Sequence, residues 1–365
     1  MKRRFHLLAP AHQPTASLVP SCSHTIKVLN MSIMLRRAGH EVFLYHPGSQ
    51  VDYWAADEAF QCVADQTMHK TYGPDFAEKL NSTWDQNDPA WIEYRKTAGR
   101  LVSQNLTSAG DIVLASFGDA HQNCCPASSQ AMTVEMSVGY AGIFASRKVW
   151  ESNAWRSYMC GRLGVYGQKT DAVIPGFFNE DDFHVEPRLP GAGDHLLYLG
   201  RVTEERGVLE AYHLSKISGV KLVIAGSGDS EWIKGSMPEA EYAGVVGEKE
   251  RGRLLRSSIA LVSFIHYVEP FSQAVVEAMH HGVPSITSDW GCFPEVVEQG
   301  RTGFRCSNIH QMKRSLDVIR EGKIYPSACT EGAENFELKA TWPRYEQYIE
   351  HQHAIFRREN GIEGG

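Results

Sequence analysis

The chain has 365 residues, a formal net charge of −7, and 42% hydrophobic and 22% charged residues. That size and mix exclude disorder and a lone small domain, and imply two domains with separate cores. The acidic balance argues against a broad basic face for nucleic acid, and no window approaches the roughly 18 apolar residues of a membrane span. The opening MKRRFHLLAP is broken by His6 and Pro10 and does not read as a secretory leader. Eight cysteines without a C-x-x-C pair, Cys124 and Cys125 being adjacent, fit reduced thiols in a cytoplasmic protein.

Taken in order, FHLLA (5–9) reads as a buried strand, followed by a long turn from Pro10 to Ser23. His24 to Ala38 carries a helical apolar stripe (Ile26, Leu29, Ile33, Met34), ends at Gly39, and leads into the strand EVFLYH (41–46). This βαβ start is Rossmann-like, but its turn lacks G-x-G-x-x-G, so dinucleotide binding is not expected. Between 50 and 108, Trp54, Tyr72, Trp84, Trp91 and Tyr94 fit the buried faces of amphipathic helices; a sugar-stacking insertion is the alternative. DIVLASFG (111–118) is a further strand that ends at a polar loop with His121, and MTVEM (132–136) is a short one containing Glu135.

After a linker at 172–183, whose Asp181 and Asp182 read as loop caps rather than metal ligands, LLYLGRV (196–202) starts a second domain. Arg201 at its strand end and Arg206 at the next helix start are two cations five residues apart, able to converge on a diphosphate. KLVIAGSGDS (221–230) contains Gly226 in a turn after a strand, and YAGVVG (242–247) is another strand and loop. IALVSFI (259–265) reads as a buried parallel strand. Beyond it Glu269-Pro270 disfavours helix, Ser272 is a candidate cap, and Ala274, Val275, Ala278 and Met279 recur at helical spacing until Gly282 and Pro284. Two carboxylates, Glu269 and Glu277, thus flank a helix N-terminus at a strand end. The N–H groups there favour phosphate, Glu269 can bind sugar hydroxyls and Glu277 the hydroxyls of a ribose, so the ligand is expected to be a nucleotide-diphosphate sugar. His280 and His281, adjacent at the end of this helix, read as structural. AENFELKATWPRYEQYIEHQHAIF reads as helical with a break at Pro343.

The spacing E-x7-E from Glu269 to Glu277, within EPFSQAVVEAMHHGVPSITSDWGCFPEVV, resembles the donor-site signature of retaining family 4 glycosyltransferases. Gly291 to Glu295 supports the same likeness, and Gly200-Arg201 with Arg206-Gly207 matches G-R-x4-K-G with arginine replacing lysine. IPGF (174–177) departs from the usual IPNG. The resemblance implies an α/β GT-B fold: two Rossmann-like domains facing across a cleft, with a C-terminal helix crossing back. The implied division is 1–172 for the acceptor domain, 173–336 for the donor domain and 337–365 for the returning helix. It further implies transfer of a sugar from a UDP- or GDP-linked donor to a carbohydrate or other hydroxyl acceptor, with retention and with no metal or resident cofactor.

In that frame the catalytic candidates are Glu269, His121, Arg201 and Arg206, with Glu135 as a second polar group. The donor-binding candidates are Arg201, Arg206, Gly226, Val246, Glu269, Phe271, Ser272, Gln273 and Glu277. Val245, Val246 and Gly247 would meet the base through their main chain, and the turn with Ser21, Cys22 and Ser23 takes the place of the family's glycine-rich one. A sugar-nucleotide epimerase of the same fold, a transferase acting on modified DNA and a non-catalytic sugar-nucleotide-binding partner are the alternatives.

Overall fold

The computed structural model describes residues 2–16, 23–77, 81, 83–127, 130–183 and 188–362. Ser21 and Cys22 lie outside these residues. The chain divides into two compact units, one of Met1–Glu151, Met159–Phe178 and Leu338–Gly365, the other of Ser152–Tyr158 and Asn179–Glu337.

In the first unit seven strands, β1 (Arg4–Leu8), β2 (Glu41–Pro47), β3 (Glu58–Val63), β4 (Ile112–Ala115), β5 (Met132–Val138), β6 (Lys148–Trp150) and β7 (Asp171–Val173), form one parallel sheet. Their order is β3-β2-β1-β4-β5-β6-β7. The strands are apolar almost throughout because both faces are covered. Phe5, Leu7, Val42, Leu44, Ile112 and Leu114 pack with Val28, Met31 and Leu35 of the helix Ser23–Arg37 on one face. The alternate positions Leu8, Phe43, Tyr45, Val113 and Ala115 face Trp91, Tyr94, Ala98 and Val102 of the helix Pro89–Asn105 on the other. That helix starts where the sequence allows it: Asp88 accepts from Trp91 N–H at 2.8 Å and Pro89 occupies the first turn.

The last helix, Leu338–Glu359, joins this first unit, placing Tyr345, Tyr348, Ile349 and Phe356 in its core. The return of the C-terminal helix therefore holds, while the break at Pro343 does not. Pro343 is inside the helix, past its free first-turn N–H groups, so it forfeits one backbone bond, and the buried face around it keeps the helix continuous.

In the second unit β8 (His195–Leu199), β9 (Lys221–Ala225), β10 (Glu241–Gly244), β11 (Ser258–Ser263), β12 (Ser285–Ser288) and β13 (Gly303–Cys306) form a parallel sheet. Their order is β10-β9-β8-β11-β12-β13. Both sheets thus carry the Rossmann strand order, whose direction reverses between β1 and β4 in one unit and between β8 and β11 in the other. Ligands of such sheets bind outside the carboxyl ends of the strands at that switch point. Four strands escaped the sequence reading: β3, β6, β7 and β13. Each is short or polar, and pairing with a neighbour rather than its own pattern makes it a strand.

Candidate active site

At the β8 end, Gly200 and Arg201 leave the sheet, and a short 3-10 turn, Glu204–Arg206, leads to the helix Val208–Ser218. The turn is pressed against the loop after β11. Gly207 has φ +73°, and a Cβ there would lie 1.8 Å from Phe264 O, so only glycine fits. His266 N–H donates to Glu205 O at 2.9 Å, tying the same two loops. Gly226 is equally tight: its φ is +140°, a Cβ would sit 1.8 Å from Gly200 O, and its N–H donates to Gly244 O at 2.7 Å. It acts as a close-packed turn that brings the ends of β8, β9 and β10 together.

These turns gather Arg201, Arg206, Tyr198, Tyr267 and Glu269. The Arg206 guanidinium lies over the Tyr267 ring at 5.5 Å, and Tyr198 donates to Arg201 O at 2.6 Å. Burial raises the Tyr267 phenol well above its ordinary value, and the Glu269 carboxylate beside it adds to that while Arg206 and Arg201 oppose it. Glu269 is buried, with 8% exposure, and one of its carboxylate oxygens has no partner among the described residues. Neither Arg201 nor Arg206 is in a carboxylate ion pair among the described residues. A buried acceptor is costly unless water or a ligand satisfies it, whereas Arg201 is exposed and Arg206 half-buried, so both reach solvent.

The helix Gln273–His280 begins next to Glu269. Its backbone bonding starts with Val276 N–H to Ser272 O at 3.3 Å, and the Ser272 side chain makes no capping bond. Capping by Ser272 is therefore not how this turn is finished, although its extended backbone (φ −95°, ψ 95°) is the kind a capping residue adopts. The first-turn N–H groups carry the positive end of the helix dipole without a side chain folded over them. Gln273 Nε2 is likewise buried without a partner among the described residues.

Gly291, with φ +62°, packs on the Glu269 backbone, and Cys292 N–H donates to Glu269 O at 3.0 Å. Glu295 is taken up locally: it accepts from Asn153 N–H and Ala154 N–H, each at 2.9 Å, capping the start of Asn153–Leu163.

One turn into the helix, Glu277 is 8% exposed and paired with Arg251 of the helix Glu248–Ser257. Burial raises its carboxyl above the ordinary value, and Arg251 pulls it back down. Val246, half-buried, precedes this Arg251 helix in the loop Val245–Gly247. Arg251, Tyr198 and Tyr267 were not singled out from the sequence. Arg251 is 26 residues from Glu277 in a charged run, EKERGR, with no local pattern, whereas Tyr267, two residues before Glu269, could have been noticed.

The first unit treats its candidates differently. His121 is fully buried; its Nε2 donates to Ala9 O at 3.2 Å and its Nδ1 accepts from Ser116 N–H at 3.3 Å. Burial lowers its pKa to about 3, so the ring is neutral and both nitrogens are spent on the backbone. This corrects the expectation that His121 faces a reacting sugar: the ring ties the ends of β1 and β4 together, beside Trp91, Tyr94 and Phe117. Glu135 is also fully buried, accepting from Phe144 N–H at 3.0 Å and Ala145 N–H at 2.8 Å; burial pushes its carboxyl up to about 7. It holds a loop rather than presenting a free polar group.

Elsewhere, Asp182 accepts from Asn179 Nδ2 at 2.8 Å, a loop cap. Phe183 stacks on His280 at 4.3 Å, so that histidine is packed. Trp91 and Tyr94 are core residues, while Trp54 and Trp84 are 58% and 44% exposed and lie outside helices of more than one turn. Among the described residues no three His, Cys, Asp or Glu side chains gather as a metal site, and no helix is long and apolar enough to cross a membrane.

Two parallel α/β units of Rossmann order, one ending in a helix contributed from beyond the other, define the GT-B class of fold. A sucrose-phosphate synthase from Thermosynechococcus elongatus shares it, with a TM-score of 0.72 at 14% identity over 97% of this chain and 100% of that one. Residues 193–318 match the family described as Glycosyl transferases group 1.

Curated relatives agree. A phosphatidyl-myo-inositol mannosyltransferase from Mycobacterium leprae is 30% identical over 177 residues, 41% of this chain and 46% of that protein. A GDP-mannose-dependent alpha-mannosyltransferase from Corynebacterium glutamicum is 33% identical over 141 residues, 38% of this chain and 31% of that protein. The chain thus matches less than half the length of these relatives.

Proposed function

We propose that this protein is a retaining glycosyltransferase that moves a sugar from a nucleotide-diphosphate donor to an acceptor hydroxyl without a divalent ion. The observation that carries the reading is the grouping of Arg201, Arg206, Glu269 and the uncapped start of Gln273–His280 at the β8/β11 switch point. The match of residues 193–318 to group 1 glycosyltransferases supports it. The mannosyltransferase relatives make GDP-mannose the first donor to try, with UDP-linked hexoses next.

In this reading the diphosphate lies against the N–H groups of Phe271, Ser272 and Gln273, with Arg201 and Arg206 on its other side. Glu269 accepts from sugar hydroxyls, Glu277 from the ribose, and the main chain at Val246 meets the base beside the Gly226 turn. The bond from the anomeric carbon to the diphosphate oxygen breaks, and the acceptor oxygen attaches on the same face. The acceptor proton passes to the departing phosphate. The leaving group gains negative charge as that bond lengthens, so prearranged cations and N–H groups stabilise the transition state more than the ground state.

Thermal stabilisation across a panel of UDP- and GDP-sugars, with and without chelator, tests the donor site. A specific donor at a hundredfold excess over Kd should add about 2.7 kcal/mol of stability. A shift that chelator leaves intact and Glu277→Ala removes supports the reading; no shift with any donor opposes it. Product analysis then separates transfer from epimerisation, and NMR of the new anomeric centre reads retention or inversion.

A further inference from the structure

Glu277 lies in the second turn of Gln273–His280, nearly out of solvent, with Arg251 Nε donating to its Oε1. Arg251 itself belongs to the first turn of Glu248–Ser257, where its N–H donates to Gly247 O at 2.9 Å. One residue therefore connects the Val245–Gly247 loop to the buried carboxylate. The other ionisable groups on the two helices and the turn after them are Glu248, which opposes Glu277, Lys249, Arg256, His280, His281, and Glu250 and Arg253, which pair with each other. Gly252 leaves room for Arg256 and His281, since a Cβ there would meet Arg256 Nη1 at 3.1 Å and His281 Cε1 at 3.5 Å.

A buried carboxylate without a cation holds its proton more readily, and a protonated one is a poor acceptor for two hydroxyl donors at once. A guanidinium fixed on one oxygen keeps the group ionised and orients the second oxygen. We propose that Arg251 is a positioning residue of the nucleotide site: it holds and aims Glu277 so that the carboxylate accepts both ribose hydroxyls, and thereby selects ribonucleotides over 2′-deoxyribonucleotides. This rests on the donor-site reading above and assigns a role to a residue that makes no expected contact with the donor itself.

The test is calorimetric titration of the full chain with UDP, GDP, 2′-deoxy-UDP and 2′-deoxy-GDP from pH 6 to 8.5. Wild type, Arg251→Met and Arg251→Lys are compared, each with its thermal midpoint as a folding control. Arg251→Met should weaken the bound ribonucleotide by about 10- to 100-fold, most strongly at pH 6, and leave the deoxy form within a few-fold of wild type. Arg251→Lys, keeping charge without the fork, should restore part of the preference. A ribo-over-deoxy preference unchanged in a folded Arg251→Met overturns the role of Arg251 while leaving the donor site standing. Failure of wild type to bind either ribonucleotide overturns the donor site and this role together.

Discussion

The switch points of the two sheets occupy the same topological place and treat their candidate residues differently. Where β1 and β4 end, His121 is completely buried, spends both nitrogens on Ala9 and Ser116, and lies among Trp91, Tyr94 and Phe117. Where β8 and β11 end, two arginines lack carboxylate partners among the described residues, one oxygen of buried Glu269 is unpaired, and a helix start is uncapped. Topology places a crevice; the side chains decide whether the protein satisfies its own polar groups there or leaves them for something else. Self-satisfied groups report stability, and unsatisfied ones call for water or a ligand; at the first end that includes His12 Nδ1 and Trp91 Nε1, buried without partners among the described residues.

The largest expected effect tests the open end. Arg206→Ala should lower turnover by about 10²–10³-fold, the cost of about 2.7–4 kcal/mol typical of one charge-stabilising group, with the thermal midpoint nearly unchanged. Near-normal turnover would remove Arg206 from the chemistry.

Next comes the closed end. His121→Phe keeps a flat ring but leaves Ala9 O and Ser116 N–H without partners, which should cost about 1–3 kcal/mol in urea unfolding. Its folded-state pKa of about 3 lies below the ordinary 6.5, so the neutral ring's contribution is present above pH 6.5 and is lost as pH falls towards 3. The variant should lose that part of the acid sensitivity. A fall in turnover with no loss of stability would restore His121 as a ligand-facing group.

A smaller effect of opposite sign belongs to Glu135. Its folded-state pKa of about 7 lies above the ordinary 4.5, so stability is full below pH 4.5 and declines as pH rises through 7. Glu135→Gln should flatten that decline, by an amount on the order of 1 kcal/mol between pH 5 and 8. An unchanged profile would show that the carboxyl titrates normally.

Ser272→Ala should be the mildest. A capping serine would cost about 1 kcal/mol on removal, whereas a hydroxyl that makes no cap bond should change unfolding by less than about 0.5 kcal/mol. A cost near the larger figure would mean that the hydroxyl caps the helix in solution.

Much of the second unit was legible because its determinants are local. Glu269, Pro270 and Ser272 sit within four residues, and the helix that carries Glu277 announces itself by apolar spacing and by Gly282 and Pro284. The first unit was harder to read. Trp84 and Trp91 are seven residues apart and of one type, yet one is 44% exposed and the other fully buried. No periodicity distinguishes them, because burial depends on which strand or helix arrives from elsewhere in the chain.

By itself the sequence determined the class of fold, the strand before Arg201, the loop that carries Glu269 and the helix after it, all set by residues within one βα unit. Only the tertiary structure decided that Arg251 meets Glu277 and that His121 and Glu135 are consumed by neighbouring backbone. Those outcomes depend on contacts between segments far apart in the chain, whose geometry is settled when the sheets pack and buried polar groups find partners.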